Sequence, residues 1–69
     1  MSNTAYLEKS IIQQLVKQGA SLGVARQSAA AAVAEGMHYH GKDKFGHCFQ
    51  IAGKRAEMAE PGLKINRPK

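Results

Sequence analysis

Apolar residues recur every four positions at the start of the chain. Leu7, Ile11 and Leu15 form one line, with Ile12 and Val16 beside it, while Glu8, Lys9, Gln13, Gln14 and Lys17 occupy the remaining positions. This period places one apolar stripe on one side of a helix, and it predicts an amphipathic helix over residues 4–18. Gly19 then supplies a stop, because glycine adopts the left-handed conformation that closes a helix.

The next stretch, "ASLGVARQSAAAAVAEG", covers residues 20–36. Alanine has the highest helix propensity, so the run Ala29–Ala32 predicts a second helix over residues 25–35, capped by Gly36. Ala29, Ala32 and Val33 fall on its inward side. Residues 20–24 bridge the two helices or belong in part to a short helix of their own.

From Met37 the pattern loosens, and Gly41, Gly46, Gly53 and Gly62 punctuate it. Two patterns overlap from Phe45 to Glu60. Phe45, Phe49, Ala52, Ala56 and Ala59 fit one side of a helix. Phe49 and Ile51, then Ala56 and Met58, also fit two alternating strands with a turn at Ala52–Lys54. Gly53 lowers helix stability by about 1 kcal/mol and suits a hairpin turn, whereas "KRAEMAE" favours helix. Pro61 and Gly62 stop either one. The expected fold is mostly α, with a helical third segment slightly favoured; the alternative is α+β with a C-terminal β-hairpin or wing. Residues 1–60 form one domain on this pattern, followed by a basic, flexible tail over residues 61–69.

Composition narrows the function. Sixty-nine residues allow one small domain with a thin core. The expected core of Leu7, Ile11, Leu15, Leu22, Val24 and Val33 is slim, which makes a homodimer the expected state. One cysteine, Cys48, excludes an intramolecular disulfide and fits a reducing cytoplasm. The first ten residues lack the basic and apolar regions of a secretory leader, and no apolar run spans a bilayer.

Ten Lys and Arg against five Asp and Glu give a net charge of +5. The excess is uneven: residues 1–36 carry +1 and residues 37–69 carry +4. A strongly basic domain points to nucleic acid, and the second half would supply the phosphate contacts through Lys42, Lys44, Lys54, Arg55, Lys64, Arg67 and Lys69. Basic charge serves solubility as well, so this inference needs a reading element beside it.

The stretch around Gly23 offers one. Leu22 and Val24 flank Gly23, which tolerates the positive φ of a tight turn. Gly19 is a small residue four positions earlier, and Ala29, Ala32 and Val33 would pin the second helix. "LGVARQSAAAAVAEG" resembles the second half of the helix-turn-helix in Cro-type phage repressors and small plasmid repressors. The match covers residues 15–36 and rests on Leu22-Gly23-Val24, Ala32-Val33 and Gly36. It implies a recognition helix over residues 25–35, on which Arg26 and Gln27 take the first base-contacting positions. Arg pairs with guanine and Gln with adenine in the major groove. Ser28 would reach a base or a phosphate, and Ala30 a thymine methyl. Two features depart from the family. Ala29 stands where a larger residue is usual, and residues 4–18 lack the break such a domain has between its first two helices. A plain helical hairpin remains the competing arrangement.

His38, His40, His47 and Cys48 are zinc-type ligands, but their spacing matches no structural zinc pattern, and adjacent His47 and Cys48 diverge on a helix or strand. They read instead as exposed or phosphate-contacting histidines beside a small buried thiol. No paired carboxylates, phosphate loop or nucleophile constellation is present, so neither enzyme activity, a cofactor nor a small-molecule substrate is expected. The sequence therefore predicts a dimeric, double-stranded-DNA-binding repressor or accessory regulator of phage or plasmid type. The rival is a helical protein-interaction module, such as a phage-encoded inhibitor of a host protein.

Overall fold

A computed structural model describes residues 3–66 as three helices: α1 over Asn3–Lys17, α2 over Leu22–Gly36 and α3 over Lys44–Ala59. The described residues hold no strand, so the hairpin alternative gives way to helix in the third segment. Gly53 does not break α3 because it is buried, on the side of the helix that also buries Phe49 and Ala56.

Helix α1 runs unbroken. It closes at Gly19, where φ is +108°. The Gly19 N–H donates to Val16 O and the Ala20 N–H to Leu15 O, each at 3.0 Å. This pair of bonds satisfies carbonyls at the end of the helix, and both Leu15 and Ala20 are buried in the core.

Helix α2 starts three residues earlier than expected. Ser21 is its N-cap, in extended geometry, and accepts from the Val24 N–H at 3.4 Å. Gly23 therefore lies in the first helical turn and not in the connection, and its φ is not positive. The turn between α1 and α2 is built on Gly19. Leu22, expected in the core, is 52% exposed.

Asp43 caps α3 by accepting from the Gly46 N–H at 2.9 Å. The Asp43 carboxylate occupies the space a Cβ on Gly46 would need, so cap and glycine require each other. The 37–43 loop is held to α3 by the Tyr39 ring, which stacks on His47 at 4.1 Å.

Successive helices run antiparallel. Ser21 at the start of α2 bonds Glu60 just past the end of α3, and Gly36 at the end of α2 meets Cys48 near the start of α3. The most extensive pairing is α2 on α3. Ala25, Ala29 and Ala32 of α2 and Ala52 and Ala56 of α3 belong to one buried cluster, with Ile11 and Leu15 of α1 and Phe49 of α3. An alanine methyl contributes only about 0.8 kcal/mol on burial, against about 1.5–3 for Leu or Phe. The alanine interface thus stabilises mainly by allowing dense contact, and the few large side chains carry much of the burial.

Within the expected basic tail over residues 61–69, the described part packs back on the helices. Residues 63–66 form a strap across the open end of the core. Ile65 is 6% exposed and Leu63 half-buried. The Ile65 N–H donates to Glu57 at 2.8 Å, and the Asn66 N–H donates to Gln18 Oε1 at 2.6 Å. Apolar burial and these hydrogen bonds together outweigh the entropy that would keep a short basic segment mobile. Arg67 and Lys69 lie outside the described residues.

Candidate nucleic-acid interface

Helix α2 turns 100° per residue, and this sorts its side chains into two faces. Ala25, Ser28, Ala29, Ala32, Val33 and Gly36 point inward and are buried. Gly23, Arg26, Gln27, Ala30 and Ala34 point outward and are exposed. The expected base-contacting set is therefore split. Arg26, Gln27 and Ala30 are accessible on one side, while Ser28 is 4% exposed and sits among the inward alanines. Ser28 lies four residues before Ala32 and three after Ala25, so the helical spacing that turns those alanines inward turns Ser28 inward with them.

The outward face of α2 is low in bulk. Between Leu22 at its start and Glu35 near its end, the exposed residues are Gly23, Arg26, Gln27, Ala30 and Ala34, of which Arg26 and Gln27 are the long polar ones. A helix so trimmed brings its backbone closer to an opposing surface than one lined with longer residues. An α-helix with side chains is about 10–12 Å across, and the B-DNA major groove about 12 Å wide. Small side chains ease that fit.

The expected phosphate contacts occupy several places. Lys42 is exposed in the 37–43 loop, Lys44 begins α3, and Lys64 is exposed on the strap. Lys44, His47, Lys54 and Arg55 fall within one arc of roughly 100° along the outer side of α3, so these four form a row. Arg55 is not independent within it, because its guanidinium is ion-paired with Glu35 of α2. That pair links the outer edges of α2 and α3, twenty residues apart in sequence.

The acidic groups explain how the surface acquires its sign. Of the five carboxylates, Asp43 caps α3, Glu35 holds Arg55, and Glu57 accepts from the Ile65 N–H. Glu60 accepts both the N–H and the hydroxyl of Ser21, at 2.8 and 2.9 Å. Four carboxylates thus serve the fold, while Lys9, Lys17, Arg26, Lys42, Lys44, Lys54 and Lys64 project from it.

The His and Cys residues do not converge. His38 and His40 are exposed, His47 stacks on Tyr39, and Cys48 is fully buried against Gly36. The described residues contain no group of three or more His, Cys, Asp or Glu placed to hold a metal ion. Burial pushes the Cys48 thiol up from its ordinary range, and nearby Lys44 pulls it back only in part.

Two features escaped the sequence pattern: the Glu35–Arg55 pair, and a groove of ≈ 370 Å³ lined by Glu35, Ile51, Lys54, Arg55 and Met58. The alternation of Ile51 and Met58 with basic residues was visible, but not that α2 supplies the opposite wall. No helix among the described residues is long and apolar enough to cross a membrane. Comparison with protein-family models, curated proteins and solved structures finds no match for the chain.

Proposed function

We propose that this protein binds double-stranded DNA, with α2 entering the major groove and Arg26 and Gln27 contacting base edges. The observation that supports this reading is the exposed middle of α2, where Arg26 and Gln27 stand among Gly23, Ala30 and Ala34, with Leu22 and Glu35 exposed only at the two ends of the helix. Ala30 meets a thymine methyl, and Lys42, Lys44, Lys54 and Lys64 supply phosphate contacts around it. The helix-turn-helix register differs from that of the repressors the sequence resembles: the turn is at Gly19, and Arg26 and Gln27 stand on the second turn of α2. Binding, and not catalysis, is the activity, in a reducing cytoplasm where Cys48 stays a thiol. A homodimer acting as a repressor or accessory regulator completes the proposal, since a second copy supplies burial that the alanine core lacks.

The test is duplex binding by fluorescence anisotropy, using a site enriched from randomised DNA and a scrambled duplex. The wild-type protein binds both, with steep salt dependence, and prefers the enriched site. Arg26→Ala lowers affinity for the enriched site about tenfold or more and leaves the circular dichroism spectrum unchanged. Equal affinity of the Arg26→Ala, Gln27→Ala double variant and wild type for the enriched site overturns the assignment of α2.

A further inference from the structure

The groove between α2 and α3 combines apolar Ile51 and Met58 with Lys54 and with Arg55, which is paired to Glu35. Met58 is 75% exposed and Ile51 half-buried. They lie seven residues apart, two turns along the same side of α3. Lys54 and Arg55 sit between them in sequence and line the same groove, and Glu35 closes its α2 edge. A phosphate backbone would use the two cations and leave Ile51 and Met58 without a partner. Apolar surface set between cations matches a ligand with apolar anchors flanked by carboxylates.

A second copy of this chain does not offer such a ligand. Four of its five carboxylates, Glu35, Asp43, Glu57 and Glu60, are engaged within the fold, Glu8 alone cannot flank the apolar anchors on both sides, and its net charge is +5. Charge complementarity therefore selects a different, acidic chain. We propose that this groove is a docking site for an acidic amphipathic helix of another protein, its apolar side chains seated on Ile51 and Met58 and its carboxylates on Lys54 and Arg55. The bound carboxylate takes Arg55 from Glu35, so Glu35 competes with the partner for one guanidinium. This inference does not rest on base contact by α2, although Lys54 serves both the groove and the phosphate contacts.

The probe is a short labelled synthetic helix with leucines at i, i+4 and i+7 and glutamates on either side. A control peptide carries lysines in place of the glutamates. The full chain binds the acidic peptide and not the basic one, and amide shifts on titration concentrate at Ile51, Lys54, Arg55 and Met58. Met58→Ala weakens peptide binding about fivefold or more and leaves duplex affinity unchanged. Glu35→Gln tightens peptide binding, since it releases Arg55 and removes a negative charge from the groove edge. Met58 is exposed, so its variant retains the helical spectrum. Equal binding of the two peptides, no detectable binding of either, or tighter binding lost rather than gained in Glu35→Gln overturns the proposal. Loss of duplex affinity on Met58→Ala would assign the groove to nucleic acid instead and overturn it equally.

Discussion

Gly36 and Cys48 touch so closely that a Cβ built on Gly36 would stand 2.5 Å from the Cys48 Sγ. Both residues are buried, one at the end of α2 and the other near the start of α3. Two opposing effects act on Gly36→Ala. Helix propensity favours it by at most about 1 kcal/mol, while overpacking costs about 1–3 kcal/mol. The clash wins, and denaturant unfolding should show a net loss of about 1–2 kcal/mol. Cys48→Ala in the same background should recover part of that loss, which a double-mutant cycle measures as a coupling between the two sites.

Gly23 and Gly19 should respond with opposite signs. A Cβ on Gly23 meets nothing within 4 Å, and Gly23 is helical. Gly23→Ala should therefore stabilise the protein by about 0.5 kcal/mol. Gly19 has a positive φ of 108°, so Gly19→Ala should cost about 1–2 kcal/mol. Melting temperatures of the two variants decide the register of the turn: a turn centred on Gly23 would reverse the order.

Which parts of this were legible follows from the range of each interaction. The period of Leu7, Ile11 and Leu15 is local, and it placed α1 within one residue at each end. The inward set Ala29, Ala32 and Val33 was likewise set by helical spacing alone. The start of α2 was misplaced because Gly23 looked like a turn residue, although Ser21, a strong N-cap type two residues earlier, marked the true start. At the first turn a glycine breaks little, since the amides there lack intrahelical partners anyway. The strap was missed for a different reason. Leu63 and Ile65 alternate with polar residues, but the partners that hold the strap include Gln18, 48 residues from Asn66. The second wall of the groove, supplied by Glu35 beside Arg55, is equally distant from any local pattern.

Removing the side chain that closes the core tests the strap directly. Ile65 is buried, and Ile65→Ala should lower stability by about 2–3 kcal/mol. A mobile tail would show no change beyond a few tenths. Amide hydrogen exchange offers an independent check: the Ile65 and Asn66 amides, bonded to Glu57 and Gln18, should be protected.

Cys48 makes stability depend on alkaline pH. Its thiol ionises at higher pH in the folded chain than in the unfolded one, because burial disfavours the thiolate. As pH rises through the ordinary thiol range, the unfolded state loses a proton that the folded state keeps. The unfolded state then binds fewer protons, so stability falls with rising pH. Below that range the contribution is constant. Denaturant midpoints measured on both sides of it should decline for the wild type and decline less for Cys48→Ala. Native Cys48 should also resist iodoacetamide until the protein unfolds.

Among the basic residues, Lys54 and Arg55 should differ in their effect on duplex binding. Lys54→Ala should reduce the slope of log affinity against log salt by about 1. Arg55→Ala should change it less, because Glu35 already neutralises that guanidinium. Equal changes in the two slopes would show that the ion pair opens on the duplex.

The strap makes closure of the core depend on residues that follow all three helices in the chain. The three helices leave the ribosome before Ile65 does, and their core is open on the side that Ile65 covers. A nascent chain halted after α3 therefore carries an exposed apolar opening and an unclamped end of α1. The core closes only when residues 63–66 lie back against Gln18 and Glu57.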